Sequence, residues 1–168
     1  LTFNPPRTWR RRCAPTEIDQ WRGRLLTGEV HDENCWALGG TAGHAGLFGT
    51  TAAVGAFARA VLRTIRGEHI LSQPDTTRTF ITREPVPNSS RALGWDTMLP
   101  TSSCGTLMSS TAIGHTGFAG TSVWIDWQRD LYVVLLTNRV HPTRENVAIR
   151  AIRPPFHDAV VSAFDRSE

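Results

Sequence analysis

The residues with chemistry to offer gather in residues 112–126, which read Ala-Ile-Gly-His-Thr-Gly-Phe-Ala-Gly-Thr-Ser-Val-Trp-Ile-Asp. Gly117 and Gly120 carry no Cβ, so a ligand's backbone can approach the chain there as closely as edge-strand peptide recognition requires. Thr116 offers a hydroxyl to a carboxylate or a carbonyl. His115 is of the side-chain type that changes charge near neutral pH and can donate to an anion. The same residues also fit a plain hairpin strand with turn glycines and a satisfied histidine, so the rest of the chain must decide between the two.

Other clusters offer less. Residues 28–35, Gly-Glu-Val-His-Asp-Glu-Asn-Cys, place His31, Asp32 and Glu33 side by side. Neighbouring residues point in different directions on a helix or a strand, so they form no metal shell without distant ligands, and a hydrogen-bonded loop is expected. Residues 39–49 are rich in glycine but lack the Gly-Lys-Ser/Thr ending of a phosphate loop, and close backbone packing beside a pocket is expected instead. Cys13, Cys35 and Cys104 are odd in number with no C-x-x-C pair, which implies neither a disulfide framework nor zinc and leaves at most one disulfide open. A self-contained hydrolase with His115 or His44 as base for Ser122 or Ser110 has no Gly-x-Ser-x-Gly elbow behind it. His141 fits the far wall of a pocket or an ordinary surface loop equally. No cofactor or metal is expected.

All 18 Lys+Arg residues are arginine, so no Ser-x-x-Lys pair exists anywhere in these 168 residues. Hydrophobic and charged contents of 40% and 20%, with a net charge of +3, describe an ordinary globular chain large enough for a core. The longest apolar run, residues 131–136, is far short of the roughly 20 residues of a membrane helix. No basic start with an apolar stretch behind it opens the chain, so no signal peptide is expected in it, and its compartment is not legible. Arginines gather near the start with acids mixed in behind them, which argues for a solvated face and against nucleic acid.

These residues need elements to hold them. Residues 1–40 read as mostly loop with a turn of helix near 17–24. From a cap at Thr50 or Thr51, Val54, Phe57, Ala58, Val61, Leu62 and Ile65 repeat with the helical period until Gly67. A second short helix follows over 74–81, capped by Ser72, with Phe80 and Ile81 inward. Residues 91–96 read as a strand, 101–111 as a flexible loop, 122–126 as a strand, and 131–137 as a strand buried on both faces. Val147, Ile149, Ile152, Phe156, Val160, Val161 and Phe164 form the apolar side of a final helix interrupted at Pro154-Pro155.

The order of these pieces, from the glycine-rich stretch and capped helix through Gly94-Trp95 and Gly114-His115-Thr116-Gly117 to Leu136-Thr137-Asn138-Arg139 and the last helix, resembles the C-terminal half of the penicillin-recognising serine hydrolases: class C β-lactamases, D-alanyl-D-alanine carboxypeptidases and related esterases. The resemblance implies an α+β, β-lactamase/transpeptidase-like fold present in part, with antiparallel strands, a C-terminal helix and a helical segment, and with the N-terminal half of the fold absent. It implies one partial domain over 1–168: loop-rich over 1–49, helical over 50–90, strands and C-terminal helix over 91–168. His115, Thr116 and Gly117 take the place of the family's Lys/His-Thr/Ser-Gly strand, which binds a substrate carboxylate and lines the oxyanion hole, with the backbone N–H of Phe118 as donor. The family's nucleophile and general base, and its Tyr-x-Asn element, have no counterpart here, since Tyr132 is the only tyrosine and is followed by Val133. The implied ligand is a small-molecule or peptide-like carboxylate (β-lactam, D-amino-acid peptide or ester), and the chain alone is expected to be inactive; a non-catalytic module retaining the groove is the alternative. An incomplete sheet is expected to seek a second copy or a complementing N-terminal fragment.

Overall fold

The computed structural model describes residues 1–166. The first fifty residues are irregular but tied together by short elements: β1 (Thr2–Phe3), a 3₁₀ turn (Arg7–Arg12), β2 (Ile18–Asp19), β3 (Arg24–Leu25), α1 (Glu33–Ala37) and β4 (Leu47–Phe48). β1 pairs with β4, and β2 with β3, both antiparallel. The helical turn expected near 17–24 is therefore a hairpin. The Asp19 carboxylate accepts from the Arg22 N–H, and Gly23 takes a left-handed φ of +64°, a conformation that turns the chain back on itself. Asp32 caps α1 through the Cys35 N–H, which gives the acidic cluster at 31–33 a structural role. In the glycine-rich stretch the packing is close, since a Cβ on Gly46 would lie 2.5 Å from the Gly40 carbonyl oxygen.

α2 (Thr51–Ile65) is capped by the Thr50 hydroxyl, which accepts from the Ala53 N–H. Its inward stripe of Ala58, Val61, Leu62 and Ile65 follows the helical period read from the sequence. α3 (Pro74–Ile81) has Gln73 at its cap without a side-chain bond, because the Ser72 hydroxyl is engaged with Thr77 instead. Ile81 packs on the core, whereas Phe80 is exposed.

The central sheet has the order β5-β6-β7-β8, all antiparallel, with β5 (Asp96–Thr97), β6 (Ile113–Thr116), β7 (Ser122–Asp126) and β8 (Leu131–Leu135). The strand expected over 91–96 shrinks to β5, because Arg91 meets Asp96 in an isolated bridge across a turn at Gly94, φ +84°. β8 is the sheet's last strand, and only Val133 in it is fully buried. The burial on both faces expected of its unbroken apolar run is complete at Val133 alone, and the strand lies at the sheet's edge.

α4 (Ile149–Asp165) runs through Pro154 and Pro155 without a break, and its buried stripe is Ile149, Arg153, His157 and Val161. Val147 and Ile152, expected inward, are exposed. One sheet face, carrying Ile113 and Ile125, packs on α2. The other, carrying Trp124 and Val133, meets Val161 of α4 together with Cys104 and Met108. The loop over 101–111 is pinned: Asp158 on α4 accepts from the N–H groups of Thr106 and Leu107, and Cys104 is fully buried. All three cysteines are free thiols. Among the described residues no helix is long and apolar enough to cross a membrane, and no group of His, Cys, Asp or Glu is placed to hold a metal ion.

Candidate functional site

Alternation along β6 sorts its side chains. Ile113 and His115 share the α2 face with their cross-strand partners Ile125 and Val123, while Gly114 and Thr116 share the α4 face with Trp124 and Ser122. Gly114 is bare for packing: a Cβ there would sit 2.3 Å from the Trp124 indole.

The outer edge of β6 is covered for only half its length. β5 pairs with Ile113 and Gly114 and then ends. The Met98 N–H donates to the Ala112 carbonyl on that side, so the Thr116 N–H, an even number of residues on, also points outward. Neither it nor the Phe118 N–H donates to a protein acceptor among the described residues. A turn then brings the chain back: Gly117 N–H to Thr121 O at 2.8 Å and Gly120 N–H to Gly117 O at 3.0 Å. Gly117 and Gly120 are bare against neighbours within the protein, as Cβ atoms would strike Thr121 Oγ1 and Thr137 Oγ1.

His115 is exposed and already bonded. An Arg91 guanidinium nitrogen lies 3.2 Å from Nε2 and can only donate, so Nε2 accepts and Nδ1 carries the proton that goes to the Thr116 carbonyl at 3.0 Å. Both ring nitrogens are thus engaged within the protein in this arrangement.

Positive charge comes instead from arginines. Two clefts of about 310 and 350 Å³ meet beneath the end of β6 and share Thr116, Arg150 and Arg153. One continues to Asp96 and Ser103, the other to Phe118 and Arg139. Arg139, Arg150 and Arg153 have no carboxylate within ion-pair distance among the described residues. Arg150 and Arg153 stand in the first turns of α4, whose cap residue Ala148 contributes no side-chain bond, so the helix's positive end adds to theirs. Arg153 is buried, and burial followed by the nearby Arg139 pulls its pKa below the usual guanidinium value. Its Nη2 donates to Gly117 O at 3.1 Å and Thr121 O at 2.9 Å, while its Nε has no partner among the described residues. The exposed Phe118 ring is stacked at 5.7 Å on His31 and lies under the Arg139 guanidinium at 4.3 Å.

The sequence marks Arg139 only as part of the Leu136-Thr137-Asn138-Arg139 stretch and gives none of the three arginines a place at the site. Arg153 did leave a signal, since it interrupts the apolar stripe at the i+4 position between Ile149 and His157. Arg150 gave none, and Arg139 none as a site residue, because a basic residue in a first helical turn or a loop reads as solvated. The alternative bases do not assemble: His44 bonds Asp32 at 3.0 Å, Ser122 is buried on the sheet face opposite His115, and Ser110 is exposed. His141 bonds the Thr16 carbonyl and lines neither cleft.

The chain is 35% identical over 126 residues to proteins of Salmonella agona and Salmonella gallinarum provisionally named D-alanyl-D-alanine carboxypeptidase, a match covering 71% of this chain and 29% of each relative. It therefore spans about three-tenths of the length of these relatives. The crystal structure of a β-lactamase from Mycobacterium bovis superposes with a TM-score of 0.58 at 22% identity, covering 71% of this chain and 46% of that one, and shares the fold. The Beta-lactamase family model matches residues 1–154, through β6, the turn after it and the arginines that surround it, and the chain belongs to that family.

Proposed function

We propose that this chain supplies the carboxylate-binding and oxyanion side of a serine acyl-transfer site, and that the nucleophile and general base come from outside these 168 residues. The observation that carries the reading is the uncovered edge of β6, where the Thr116 and Phe118 N–H groups have no acceptor among the described residues and stand beside a cleft lined by arginines that have no carboxylate partner among them. A peptide-like substrate lying along this edge puts its carboxylate by the Thr116 hydroxyl and Arg150, where charge-assisted hydrogen bonds hold it. Its reacting carbonyl oxygen then faces the Phe118 N–H. In the acyl-transfer step a serine oxygen bonds to the carbonyl carbon, its proton passes through the base to the leaving group, and the departing bond is the amide, lactam or ester bond. The donor stabilises the charge that gathers on oxygen as this happens. A serine without a base is a weak nucleophile, so the chain by itself has no activity. The naming of the Salmonella relatives favours a D-alanyl-D-alanine peptide within this class.

Intact-protein mass spectrometry after incubation with a reactive β-lactam and a p-nitrophenyl ester tests the incompleteness: no adduct and no turnover are expected. A stoichiometric adduct would show that the chain carries its own nucleophile. Supplying a segment with the Ser-x-x-Lys element, covalently or in trans, is expected to restore acylation; binding that persists without acylation would favour a non-catalytic groove module.

A further inference from the structure

Peptide geometry ties the Phe118 donor to a residue on another element. In a trans peptide the carbonyl of one residue and the N–H of the next point in opposite directions. The Gly117 carbonyl and the Phe118 N–H share one such unit, so whatever holds the first aims the second. The Gly117 oxygen accepts from Arg153 Nη2 at 3.1 Å and from the Gly120 N–H at 3.0 Å. The next carbonyls are held as well: Phe118 O by Arg139 Nε at 2.7 Å, Ala119 O by the Arg139 N–H at 2.9 Å, Gly120 O by the Thr137 hydroxyl at 2.6 Å, and Thr121 O by Arg153 again. Every carbonyl of the turn is thus drawn inward.

We propose that Arg153 is a positioning residue for the oxyanion donor: its guanidinium, anchored in the buried stripe of α4, holds the Gly117 carbonyl and so orients and polarises the Phe118 N–H toward the open edge of β6. This rests on the reading of Phe118 as that donor. Three features separate the role from general packing. Arg153 is the charged member of a stripe otherwise made of Ile149, His157 and Val161, and it has no carboxylate within ion-pair distance among the described residues. It spends both of its hydrogen bonds on carbonyls of this one turn. A cation bonded to a carbonyl also draws electron density through the peptide unit, making the attached N–H a stronger donor by the same cooperativity that strengthens hydrogen-bond chains. No proton is transferred and no bond is broken by Arg153.

The test is an ¹⁵N-¹H spectrum of the full 168-residue chain, alone and titrated with N-acetyl-D-alanyl-D-alanine, for the wild type, Arg153→Gln and Arg153→Lys. In the wild type the Thr116 and Phe118 amides both move on titration. In Arg153→Gln the Phe118 resonance shifts upfield in the free protein and its ligand response falls by about threefold or more, while Thr116 still responds; Arg153→Lys restores part of it. A folded Arg153→Gln with an unchanged Phe118 resonance overturns the proposal. No wild-type response at either amide overturns the functional reading instead, and the free-protein Phe118 resonance still tests the positioning. Should both variants fail to fold, a through-hydrogen-bond correlation between Arg153 Nη2 and the Gly117 carbonyl carbon in the wild type supports the proposal, and its absence overturns it.

Discussion

Glu17 shows how single residues hold the loop-rich start of the chain against the site. Its carboxylate accepts from Arg144 Nε at 2.8 Å, from the Arg144 backbone N–H at 3.0 Å and from His31 Nε2 at 2.8 Å. Arg144 holds its pKa down to about 2, with His31 helping, against burial that pushes it up. A carboxylate whose folded value lies below its unfolded one contributes stability that is full above the ordinary range and lost as pH falls. This contribution, on the order of 3 kcal/mol, should therefore disappear between about pH 4.5 and pH 2. His157 acts higher on the scale. Burial holds its imidazole below the usual value, so below about pH 6.5 the unfolded chain takes up a proton that the folded one resists, and stability falls. Urea unfolding measured from pH 8 to pH 2 is expected to show both limbs: Glu17→Gln should flatten the acid limb and His157→Leu the one below neutrality. A profile unchanged in Glu17→Gln would mean that the Arg144 pairing adds nothing net.

At the scale of elements, β6 holds its place by being thin. Trp124 is fully buried against the Gly114 backbone, and an added methyl meets both the indole and the Val123 carbonyl oxygen, 2.6 Å away. Gly114→Ala is expected to cost roughly 3 kcal/mol, read as a lower urea midpoint, because rigid neighbours cannot yield to overpacking. Gly67→Ala is its control: nothing lies within 4 Å of a Cβ there, and only the φ of +107° opposes the change. α4 works differently, joining the apolar contact at Val161 to the polar clamp at Arg153 along one stripe.

The whole molecule is a sheet between helices whose two edges are unlike. The β5 side stops short and leaves the candidate site open; on the other side β8 ends the sheet without a strand partner among the described residues. Unpaired strand edges with apolar side chains draw other chains. A second copy or a complementing N-terminal segment is therefore expected to bind along β8, and light scattering on the isolated chain should give a mass near twice 18.6 kDa or larger. A monodisperse monomer would count against this. Replacing Val134 with Lys, next to the buried Val133 on the opposite face of that edge, should shift any association toward monomer.

What the sequence determined by itself was local. The helical period from Val54 to Ile65 and its cap at Thr50, the stop at Gly67, the β7 strand and the order of motifs that marks the family are all written in spacings of a few residues, where period and capping chemistry act directly. Tertiary contacts decided the rest. Residues 17–24 became a hairpin because the Asp19 carboxylate took the Arg22 N–H, and Phe80 turned outward because only one side of α3 meets α2. The apolar run of β8 became an edge because position in a sheet depends on strand partners that no local pattern names. At the site, His115, Thr116, Gly117 and Phe118 were legible as a motif, but the arginines around them were not. Arg153 meets Gly117 across 36 residues of sequence, and such a contact exists only once α4 lies against the turn.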